Sequence, residues 1–594
     1  RYVGGEFNAI MKDKSKVDTR VAFCFPDTYE IGMSNLGMRI LYGVMNNIEG
    51  VWCERCFAPW GDMEQEMRNA NIPLYALESF DPIKDFDIIA FSIGYEMAFP
   101  AMVDMLDLAG VPLHASERTA LTPLVVAGGT AMYNCEPIAD FIDLALIGEG
   151  EEMDVELIEL HRQARREGWS KHKFLVCAAQ IPGVYVPSLY DVAYNDDGTV
   201  KSITANEGAP KVVLKRIMRD MDKAYYPTKT IVPSTEIVQD RVSLELFRGC
   251  IRGCRFCQAG YVYRPVRNRS EELLRGYAVE AVEDSGYQDM TLSSLSTSDY
   301  PHLVELCDDL EDFCAQRHVT LALPSLRADN FSMALMERLQ KGRKTGLTFA
   351  PEAGTQRLRD AINKNLTEED LLESCRRAFA GGYSAVKLYF MLGLPTETDE
   401  DVLGIADIAA HVMHAWRESA LNKTRGVRIT VSTSWFVPKP HTAFQWEPQI
   451  PIEEYERRVK LLREAMNTKS VTYNWHPSPT SFMEAVISCG DRRLGKVIET
   501  AWRKGETLSA WEDYFDLNRW MEAFEECGLD PHFYANRRRS EDEILPWSMI
   551  SCGVAPGYLK REHALSYEGV TTPDCRTHCN ACGANCLVGG KCDV

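Results

Sequence analysis

Hydrophobic residues in the first 160 positions form short runs separated by stretches with helical spacing. The runs predict four buried strands, at residues 19–27, 86–96, 123–134 and 143–152. After the second run, "AFPAMVDMLDLAGV" at 98–111 shows the apolar spacing of a helix. Alternating strands and helices of this size indicate a doubly wound parallel sheet. Ligands of such sheets bind at the carboxyl ends of the strands, where the glycine loops of this sequence fall.

The pattern changes twice more along the chain. Residues 175–240 show strand alternation and an Asp-Gly turn. Strand–helix alternation then returns, and it predicts six strands at 242–247, 288–293, 319–323, 346–350, 384–390 and 427–432. After residue 450 the apolar spacing is helical.

These patterns predict an α/β chain of five parts. They are a Rossmann-like sheet at 15–160, a β-rich linker at 161–240, a partial (β/α)6 barrel at 241–450, a helical region at 451–570 and a cysteine-rich tail at 571–594.

Composition and charge narrow the function classes. The 594 residues carry a net charge of −21, which argues against a broad nucleic-acid-binding face but allows a local basic groove. No run of about 18 apolar residues predicts a membrane span, and the first residues lack the apolar stretch of a secretory signal. The chain begins without Met, so we expect it to start inside a longer reading frame. Eight of the 19 cysteines lie in two tight clusters, which favours metal binding in the cytoplasm over disulfides.

Three cysteines share one short loop, "FRGCIRGCRFCQAG" at residues 247–260. Cys250, Cys254 and Cys257 have the spacing C-x3-C-x2-C. Three thiolates can hold three irons of a cubane cluster and leave the fourth iron open, whereas a structural zinc site needs a fourth cysteine or histidine. The next candidates, His302 and Cys307, lie far downstream. The spacing therefore favours an open [4Fe–4S] cluster over an incomplete zinc knuckle or three unrelated cysteines.

This loop resembles the signature of radical S-adenosylmethionine (SAM) enzymes. The resemblance rests on the cysteine spacing, on Phe256 just before the last cysteine, and on the position after the first barrel strand. It implies that Cys250, Cys254 and Cys257 are catalytic and that SAM chelates the vacant iron through its amino and carboxylate groups. An electron from the cluster would then cleave SAM to a 5′-deoxyadenosyl radical.

Segments after the second and third barrel strands fit the same family. "LSSLSTSDY" at 292–300 resembles the segment that contacts the SAM amino group, which implies this role for Ser294 and Ser296. Arg327, in "LPSLRAD", is suited to the SAM carboxylate.

Segments after the fourth and fifth barrel strands also resemble those of the radical SAM family. Glu352 would hydrogen-bond the SAM ribose. "YFMLGLPTETDED" at 389–401 resembles the GLPGET segment of the family, with Thr396 in place of the usual glycine. This likeness implies that the backbone at Gly393 and Leu394 packs on the adenine.

The loop after the first N-terminal strand departs from a known motif. Methionine-synthase-like cobalamin domains carry D-x-H-x-x-G there, and the histidine binds cobalt. Here the loop reads "DTYEIG", with Asp27, Tyr29 and Gly32, so a tyrosine stands at the histidine position. A neutral phenol is a poor cobalt ligand. We therefore expect cobalamin to bind without a protein histidine ligand.

The rest of the N-terminal sheet resembles the cobalamin-binding half of B12-type radical SAM enzymes. A corrin tail needs a groove with little side-chain bulk, which glycine and serine supply. The candidate cofactor residues are Ser92, Gly94, Gly128, Gly129, Glu149 and Gly150. A vestigial sheet, or a sheet for another partner, is the alternative.

A second cysteine cluster ends the chain, in "TTPDCRTHCNACGANCLVGGKCDV". We predict that Cys575, Cys579, Cys582 and Cys586 bind metal, either as a second Fe–S cluster or as zinc. The fifth cysteine, Cys592, leaves the ligand set open. A tail without metal is the third possibility.

Arginines cluster around the loop and again near residue 538. They could bind RNA phosphates or an anionic substrate, but such arginines more often pair with carboxylates of their own chain. The candidates are Arg252, Arg255, Arg264, Arg267, Arg269 and Arg537 to Arg539.

The whole chain resembles the B12-binding radical SAM proteins, a bacterial subfamily with an N-terminal cobalamin domain and a cysteine-rich tail. This resemblance implies a SAM-dependent methylase of unactivated carbon. Cobalamin would take methyl from one SAM, and a radical from a second SAM would activate the substrate. Alternatives are methylthiotransferase-like sulfur insertion with the auxiliary cluster as donor, and a non-catalytic Fe–S and cobalamin sensor. The substrate stays open, with RNA or a ribosomal component as candidates. We expect a flavodoxin or ferredoxin electron donor, no membrane partner and a well-reduced cytoplasm.

Overall fold

The computed structural model describes residues 1–323, 347–424, 426–466, 468–590 and 592. Within them the chain is a mixed α/β protein with several parallel sheets. No helix in these ranges has the length and the apolar character needed to cross a membrane.

The first sheet has six strands in the order β2-β1-β3-β4-β5-β6. The strands are β1 Thr19–Phe25, β2 Val51–Phe57, β3 Ile88–Ser92, β4 Leu124–Gly128, β5 Leu144–Leu146 and β6 Val184–Tyr185. The first five are parallel and β6 is antiparallel, so the predicted parallel sheet is confirmed. The strand order reverses between β1 and β3, and ligands of doubly wound sheets bind at the carboxyl ends of strands at such a point.

Helices alternate with the strands of this sheet along the chain. They are α1 Tyr29–Gly32, α2 Leu36–Asn46, α3 Gly61–Ala70, α4 Phe99–Ala109, α5 Gly150–Glu167 and α6 Lys171–Ala178. Asn35 caps α2 through its side chain, which accepts from the Met38 amide at 3.0 Å. Gly110 and Gly168 end α4 and α5 in the left-handed conformation.

A small β region follows. β7 Tyr190–Tyr194 and β8 Val200–Ala205 form an antiparallel hairpin, as the Asp-Gly turn predicts. β9 Val213–Leu214 pairs in parallel with β19 Ile550–Ser551 near the end of the chain.

The central region contains two parallel sheets and one short antiparallel pair. The strands are β10 Val242–Glu245, β11 Phe247–Arg248, β12 Arg267–Asn268, β13 Asp289–Ser293, β14 Thr320–Ala322, β15 Leu347–Glu352, β16 Ala385–Leu392, β17 Arg428–Trp435 and β18 Val471–Trp475. β10-β13-β14 form one parallel sheet and β15-β16-β17-β18 form the other. A strand is present at each of the six predicted positions. β18 is an addition, in a region where the pattern predicted helices.

The helices of the central region follow its strands in alternation. They are α7 Gln258–Val262, α8 Glu271–Ser285, α9 Leu303–Arg317, α10 Gln356–Ala361, α11 Glu368–Ala380 and α12 Asp399–Ser419. Thr367 begins α11 with a capping box shared with Asp370.

The C-terminal helices pack back on the N-terminal sheet. They are α13 Ile452–Ala465, α14 Ser478–Ser488, α15 Leu494–Arg503, α16 Leu517–Cys527, α17 Pro531–Ala535 and α18 Pro556–Glu568. Trp502 on α15 donates to Asp104 on α4 at 2.9 Å, and Asn134 donates to the carbonyls of Ser488 and Gly490 at 2.9 Å. One continuous apolar core therefore includes the first sheet, the β15–β18 sheet and the C-terminal helices.

Candidate active site

One cavity of about 470 Å³ lies between the N-terminal sheet and the β10-β13-β14 sheet. Its N-terminal wall contains the predicted cofactor residues Ser92, Gly94, Gly128, Gly129, Glu149 and Gly150. Its opposite wall contains Arg248, Gly249, Tyr263, Ser293 and Ser294. The carboxyl ends of two parallel sheets therefore face the same space. Gly249 directly precedes Cys250, so the three-cysteine loop begins at this wall.

The glycines of the N-terminal wall leave room in different ways. A Cβ built on Gly94 meets nothing within 4 Å, and one on Gly128 meets only Leu146 Cβ at 3.8 Å. Gly129 has φ +104°, and a Cβ there would lie 2.4 Å from the Ile93 carbonyl oxygen. The turn therefore requires glycine at position 129, whereas Gly94 and Gly128 leave the groove free of side-chain atoms.

A hydrogen bond connects the two walls of the cavity, and the acidic residue Asp154 is part of its lining. The Tyr263 hydroxyl lies 3.0 Å from Thr130 Oγ1 and links the two walls. Asp154, on the second turn of α5, also lines the cavity. Burial, together with the nearby Glu151, raises the pKa of Asp154 to about 7. Its carboxyl is therefore partly protonated at neutral pH and can donate a hydrogen bond. The sequence patterns singled out neither Tyr263 nor Asp154.

Asp27, Tyr29 and Gly32 do not line this cavity. The Tyr29 side chain is buried, and its hydroxyl donates to Glu6 at 2.8 Å. Trp511 Nε1 donates to Asp27 at 2.8 Å, and a Cβ on Gly32 would meet the Phe57 ring at 2.3 Å. All three side-chain positions are occupied by contacts inside the protein. Helix α2 and its N-cap residue line the cavity instead. The lining residues of this segment are Asn35, Leu36, Gly37, Ile40 and Leu41.

Glu149 lines the cavity, but its carboxylate is bound by Arg248 and Arg267 of the central region. Arg267 donates to both Glu149 oxygens at 2.8 Å, the Met218 amide donates at 2.6 Å, and Arg248 Nη1 lies 3.3 Å away. Burial acts to raise the pKa of Glu149, but the charges of Arg248 and Arg267 hold it below its usual range. Arg248 also pairs with Glu151 at 2.7 Å and with Glu245 at 2.9 Å. This buried ion cluster fixes the two walls relative to each other.

Removing the Glu149 charge should destabilise the fold strongly. Glu149→Gln removes the carboxylate that pairs with the buried Arg267, while Arg248 keeps Glu151 and Glu245. Breaking a buried ion pair in this way costs about 3–5 kcal/mol. The matched control is Glu152→Gln, whose partner Arg216 is near the surface and whose loss should cost below about 1 kcal/mol. Urea unfolding of both variants measures the difference. Equal stability of the two variants would contradict the role given to Glu149.

The three loop cysteines are partly buried. Burial and the neighbouring Cys254 and Cys250 thiols raise the pKa of Cys257 to about 12 in the metal-free protein. Among the described residues no group of three or more histidine, cysteine or carboxylate side chains is arranged so that it could hold a metal ion. The residue types of the loop nevertheless suit iron, since three soft thiolates lie on one short segment.

Phe256 and Leu394 meet in one apolar cluster. Leu394 is 2% exposed and packs with Ala353, Leu358, Phe436 and Phe444, while Phe256 and Met391 pack against this group. Gly393 has φ +83°, and its amide donates to Glu397 at 2.8 Å. Glu397 in turn pairs with Arg458. The Glu397 carboxylate therefore fixes the backbone of Gly393, which is predicted to pack on the adenine. The sequence analysis did not select Glu397.

Three other predicted SAM contacts lie at strand ends. Ser294 lines the cavity, and its hydroxyl lies 3.1 Å from Thr297 Oγ1. Ser296 is buried and donates to Asp299 at 2.6 Å. Glu352 ends β15 with φ +70° and pairs with Lys364 at 3.2 Å. Arg327 lies outside the described residues. Thr396, at the position of the usual glycine, has φ +66°, which explains why glycine is favoured there.

Most of the clustered arginines are paired within the chain. Arg252 binds Asp299, Arg255 binds Glu562, Arg267 binds Glu149, Arg269 binds Glu245, Arg537 binds Glu543 and Arg538 binds Glu447. Arg539 is buried and donates to the Tyr534 carbonyl. Of the two alternatives for these side chains, the described contacts favour pairing with their own chain over a phosphate-binding surface.

Comparisons with known proteins assign the central domain. Residues 244–409 match the model of the Radical SAM superfamily, and residues 37–187 match the model of the N-terminal region of radical SAM proteins. Residues 244–409 carry a radical SAM domain. This family uses a [4Fe–4S] cluster and SAM, which agrees with the three-cysteine loop.

Relatives exist at low identity. An uncharacterized protein of Methanocaldococcus jannaschii is 29% identical over 521 residues, which cover 86% of this chain and 98% of that protein. The radical SAM methyltransferase TsrM of Kitasatospora setae, solved with cobalamin and a [4Fe–4S] cluster, is 13% identical, with a TM-score of 0.45 over 70% of this chain and 74% of its own. The cobalamin-dependent radical SAM enzyme OxsB, solved with aqua-cobalamin and SAM, is 10% identical, with a TM-score of 0.46 over 92% of this chain and 79% of its own.

Proposed function

We propose that this radical SAM protein is a cobalamin-dependent enzyme that methylates an unactivated carbon. The observation that supports this proposal is the shared cavity, where the Gly- and Ser-lined ends of the N-terminal sheet face the start of the three-cysteine loop. A cofactor at the switch point of a doubly wound sheet would lie directly opposite a SAM bound at the loop. This arrangement suits chemistry that needs both cofactors at one substrate atom.

The N-terminal wall fits a flat, amide-rich cofactor such as cobalamin. Ser92, Gly94, Gly128, Gly129 and Gly150 would hold it with backbone groups and one hydroxyl, because none of them projects a large side chain. Asp154 can donate to an amide oxygen, as its raised pKa allows. Bound cobalamin supplies methyl-group transfer. The described residues that line this cavity include no histidine.

The opposite wall would orient SAM. Ser294 lines the cavity, whereas Phe256 and Leu394 lie outside its lining, in the apolar cluster that we assign to the adenine side of SAM. The loop thiolates of Cys250, Cys254 and Cys257 would hold a [4Fe–4S] cluster, which would supply the electron for SAM cleavage. The Glu149–Arg267 pair keeps the two walls at a fixed separation, and the Tyr263 hydroxyl at Thr130 closes one side against water.

The substrate class and the electron donor are also proposals. RNA or a ribosomal component is one candidate substrate, but the arginines that suggested it are mostly paired within the chain. A flavodoxin or ferredoxin would supply electrons to the cluster. Sulfur insertion is the competing reaction, and the cysteine tail beside the loop is the feature that favours it.

Anaerobic turnover of the reconstituted protein tests the methylase proposal directly. With SAM, a reductant and cobalamin, we expect both 5′-deoxyadenosine and S-adenosylhomocysteine in one chromatogram, and the second product should require cobalamin. The same protein without cobalamin is the control. If 5′-deoxyadenosine forms alone under both conditions, methyl transfer loses its support and sulfur insertion or a rearrangement becomes the better proposal.

A further inference from the structure

The two faces of the β15–β18 sheet differ sharply in polarity. Successive side chains of a strand point to opposite faces, so every second residue shares a face. Leu388 and Phe390 on β16, like Ile429 and Val431 on β17, are buried in the apolar core together with helices α11, α12 and α13. The alternate residues of these strands form the opposite face, which we call the polar face. In a closed β/α barrel the face away from the helices is filled by branched aliphatic side chains, and here it is not.

The parallel register arranges the polar face in rows across the strands. The first row consists of Thr348, Lys387, Thr430 and Thr472. The second row consists of Tyr389, Ser432 and Asn474. Met391 and Ser434 follow at the carboxyl ends of β16 and β17. The face therefore presents hydroxyl and amide groups around one lysine and one tyrosine.

The carboxyl end of the polar face lies at the cysteine loop. Met391 and Phe256 pack against the same apolar group, which includes Leu394. Phe256 lies between Cys254 and Cys257 in the sequence. Two residues along a strand span about 6.6 Å, so the Lys387 row lies about 13 Å from the Met391 level and the Tyr389 row about half that distance. A molecule on this face would thus extend toward the loop.

Lys387 is a partly buried cation in the middle of this face. Its Nζ lies 4.6 Å from the centre of the Tyr389 ring, which brings the ammonium one row closer to the loop. Among the residues that the structure describes, no carboxylate forms an ion pair with Lys387. The one acidic residue within the four strands, Glu352 at the end of β15, pairs with Lys364.

The charge of the polar face is opposite to that of the whole chain. Arg428 begins β17 on the same face as Thr430, is exposed, and has no carboxylate partner in the described part of the chain. β16, β17 and β18 contain no aspartate or glutamate, although the net charge of the protein is −21. A positive surface of this kind on an acidic protein concentrates anions.

We propose that the polar face binds the substrate, and that the substrate is a small molecule with a carboxylate or phosphate group held by the Lys387 ammonium. Thr430 and Ser432, beside Lys387 and Tyr389 in the register, can donate hydroxyl hydrogen bonds to the same group. Two cations suit one anionic group, whereas a nucleic-acid backbone is bound through many phosphates. The identity of the bound molecule as substrate rests on the proposed function, but the binding of an anion at Lys387 does not.

Protection of Lys387 from acetylation tests anion binding without SAM, cobalamin or turnover. The anaerobically purified full chain is treated with a neutral acetylating reagent, and peptide mass spectrometry measures the rate at each lysine. Inorganic phosphate and acetate are titrated separately against sodium chloride of equal ionic strength. At least one of them should slow the acetylation of Lys387 saturably, by about tenfold at roughly ten times its Kd.

Lys460 is the matched control, because it is exposed on α13 and also lacks a carboxylate partner among the described residues. Its acetylation should proceed equally fast in phosphate, acetate and chloride. Stronger protection of Lys387 by phosphate indicates a phosphorylated substrate, and stronger protection by acetate indicates a carboxylic acid. Lack of protection at Lys387, or equal protection at Lys460, would overturn the proposal.

Thermal unfolding of two variants provides a second measurement. The anion that protects Lys387 should raise the unfolding temperature of the parent protein above that in chloride, because it binds the folded state. Lys387→Gln should lose this additional rise, and Lys460→Gln should keep it. Any general effect of the salt on stability remains in both variants. An undiminished rise in Lys387→Gln would place the anion elsewhere and reject the site.

The two proposals fail in different ways. If Lys387 is protected but turnover yields no cobalamin-dependent S-adenosylhomocysteine, the anion site stands and methyl transfer does not. If that product forms while neither anion protects Lys387, the methylase proposal stands and the assignment of the substrate class is wrong.

Discussion

Cys254→Ala should abolish SAM cleavage and the spectrum of the reduced loop cluster. Cys250, Cys254 and Cys257 are the only cysteines on the loop, so loss of one leaves two thiolates, too few to hold three irons. The production of 5′-deoxyadenosine should fall to the background of metal-free protein. Cys250→Ala and Cys257→Ala should behave in the same way, because the three thiolates act as one ligand set.

The control for this prediction is a buried cysteine of the same domain. Cys375, on α11, is fully buried and lies away from the loop. Cys375→Ala should cost about 1 kcal/mol in stability through a small cavity and keep the cluster. The iron content of each variant is compared with that of the parent protein, so that iron bound elsewhere in the chain cancels. SAM cleavage by Cys254→Ala at the parent rate would exclude the loop as the radical-generating site.

The strands that the sequence predicted share one property. β1, β3, β4 and β5 are short apolar runs buried on both faces, and such runs are visible in a single sequence. β2 was missed because "VWCERCF" contains Glu54 and Arg55 in its centre. Arg55 binds Glu6 and Glu78, and Glu54 binds Arg20. A buried charge is acceptable only with its partners, and these partners are distant in sequence.

The candidate site residues differ in the same way, since some lie at the ends of buried strands and others lie in loops. Ser92, Gly94, Gly128 and Gly129 follow predicted strands, so the topology of a doubly wound sheet brings them to one edge. Tyr29 was assigned by analogy with a motif position. Its actual environment depends on Glu6, a residue in an N-terminal segment that has no periodic pattern. The position of one side chain in a loop cannot be read from spacing alone.

Contacts of very long range were invisible to the sequence. Arg255 and Glu562 form a buried pair although 307 positions separate them, and nothing in either local sequence indicates the other. The same holds for Trp511 and Asp27, which join the C-terminal region to the first loop. Patterns of period 2 or 3.6 report local structure. They therefore predicted where the cysteine loop and tail begin but not that the two are in contact.

Filling the cavity at Gly94 should abolish cobalamin binding and leave the radical SAM site intact. A Cβ at Gly94 meets nothing within 4 Å, so the fold accepts a side chain, which then occupies the shared space. Gly94→Phe should weaken cobalamin binding by at least about 100-fold, or ~2.8 kcal/mol. An anaerobic visible-light titration of the protein with cobalamin measures this. Cleavage of SAM to 5′-deoxyadenosine should continue, because the loop thiolates and the Phe256–Leu394 surface are not altered.

The matched control is a glycine with equal local freedom outside the cavity. Gly276, on the exposed side of α8, also has no atom within 4 Å of a built Cβ. Gly276→Phe should bind cobalamin like the parent protein, and both variants should unfold at similar temperatures. If Gly94→Phe binds cobalamin with parental affinity, the cofactor does not occupy this cavity. Loss of cobalamin binding together with continued SAM cleavage would instead separate the two halves of the site, because a general folding defect would impair both.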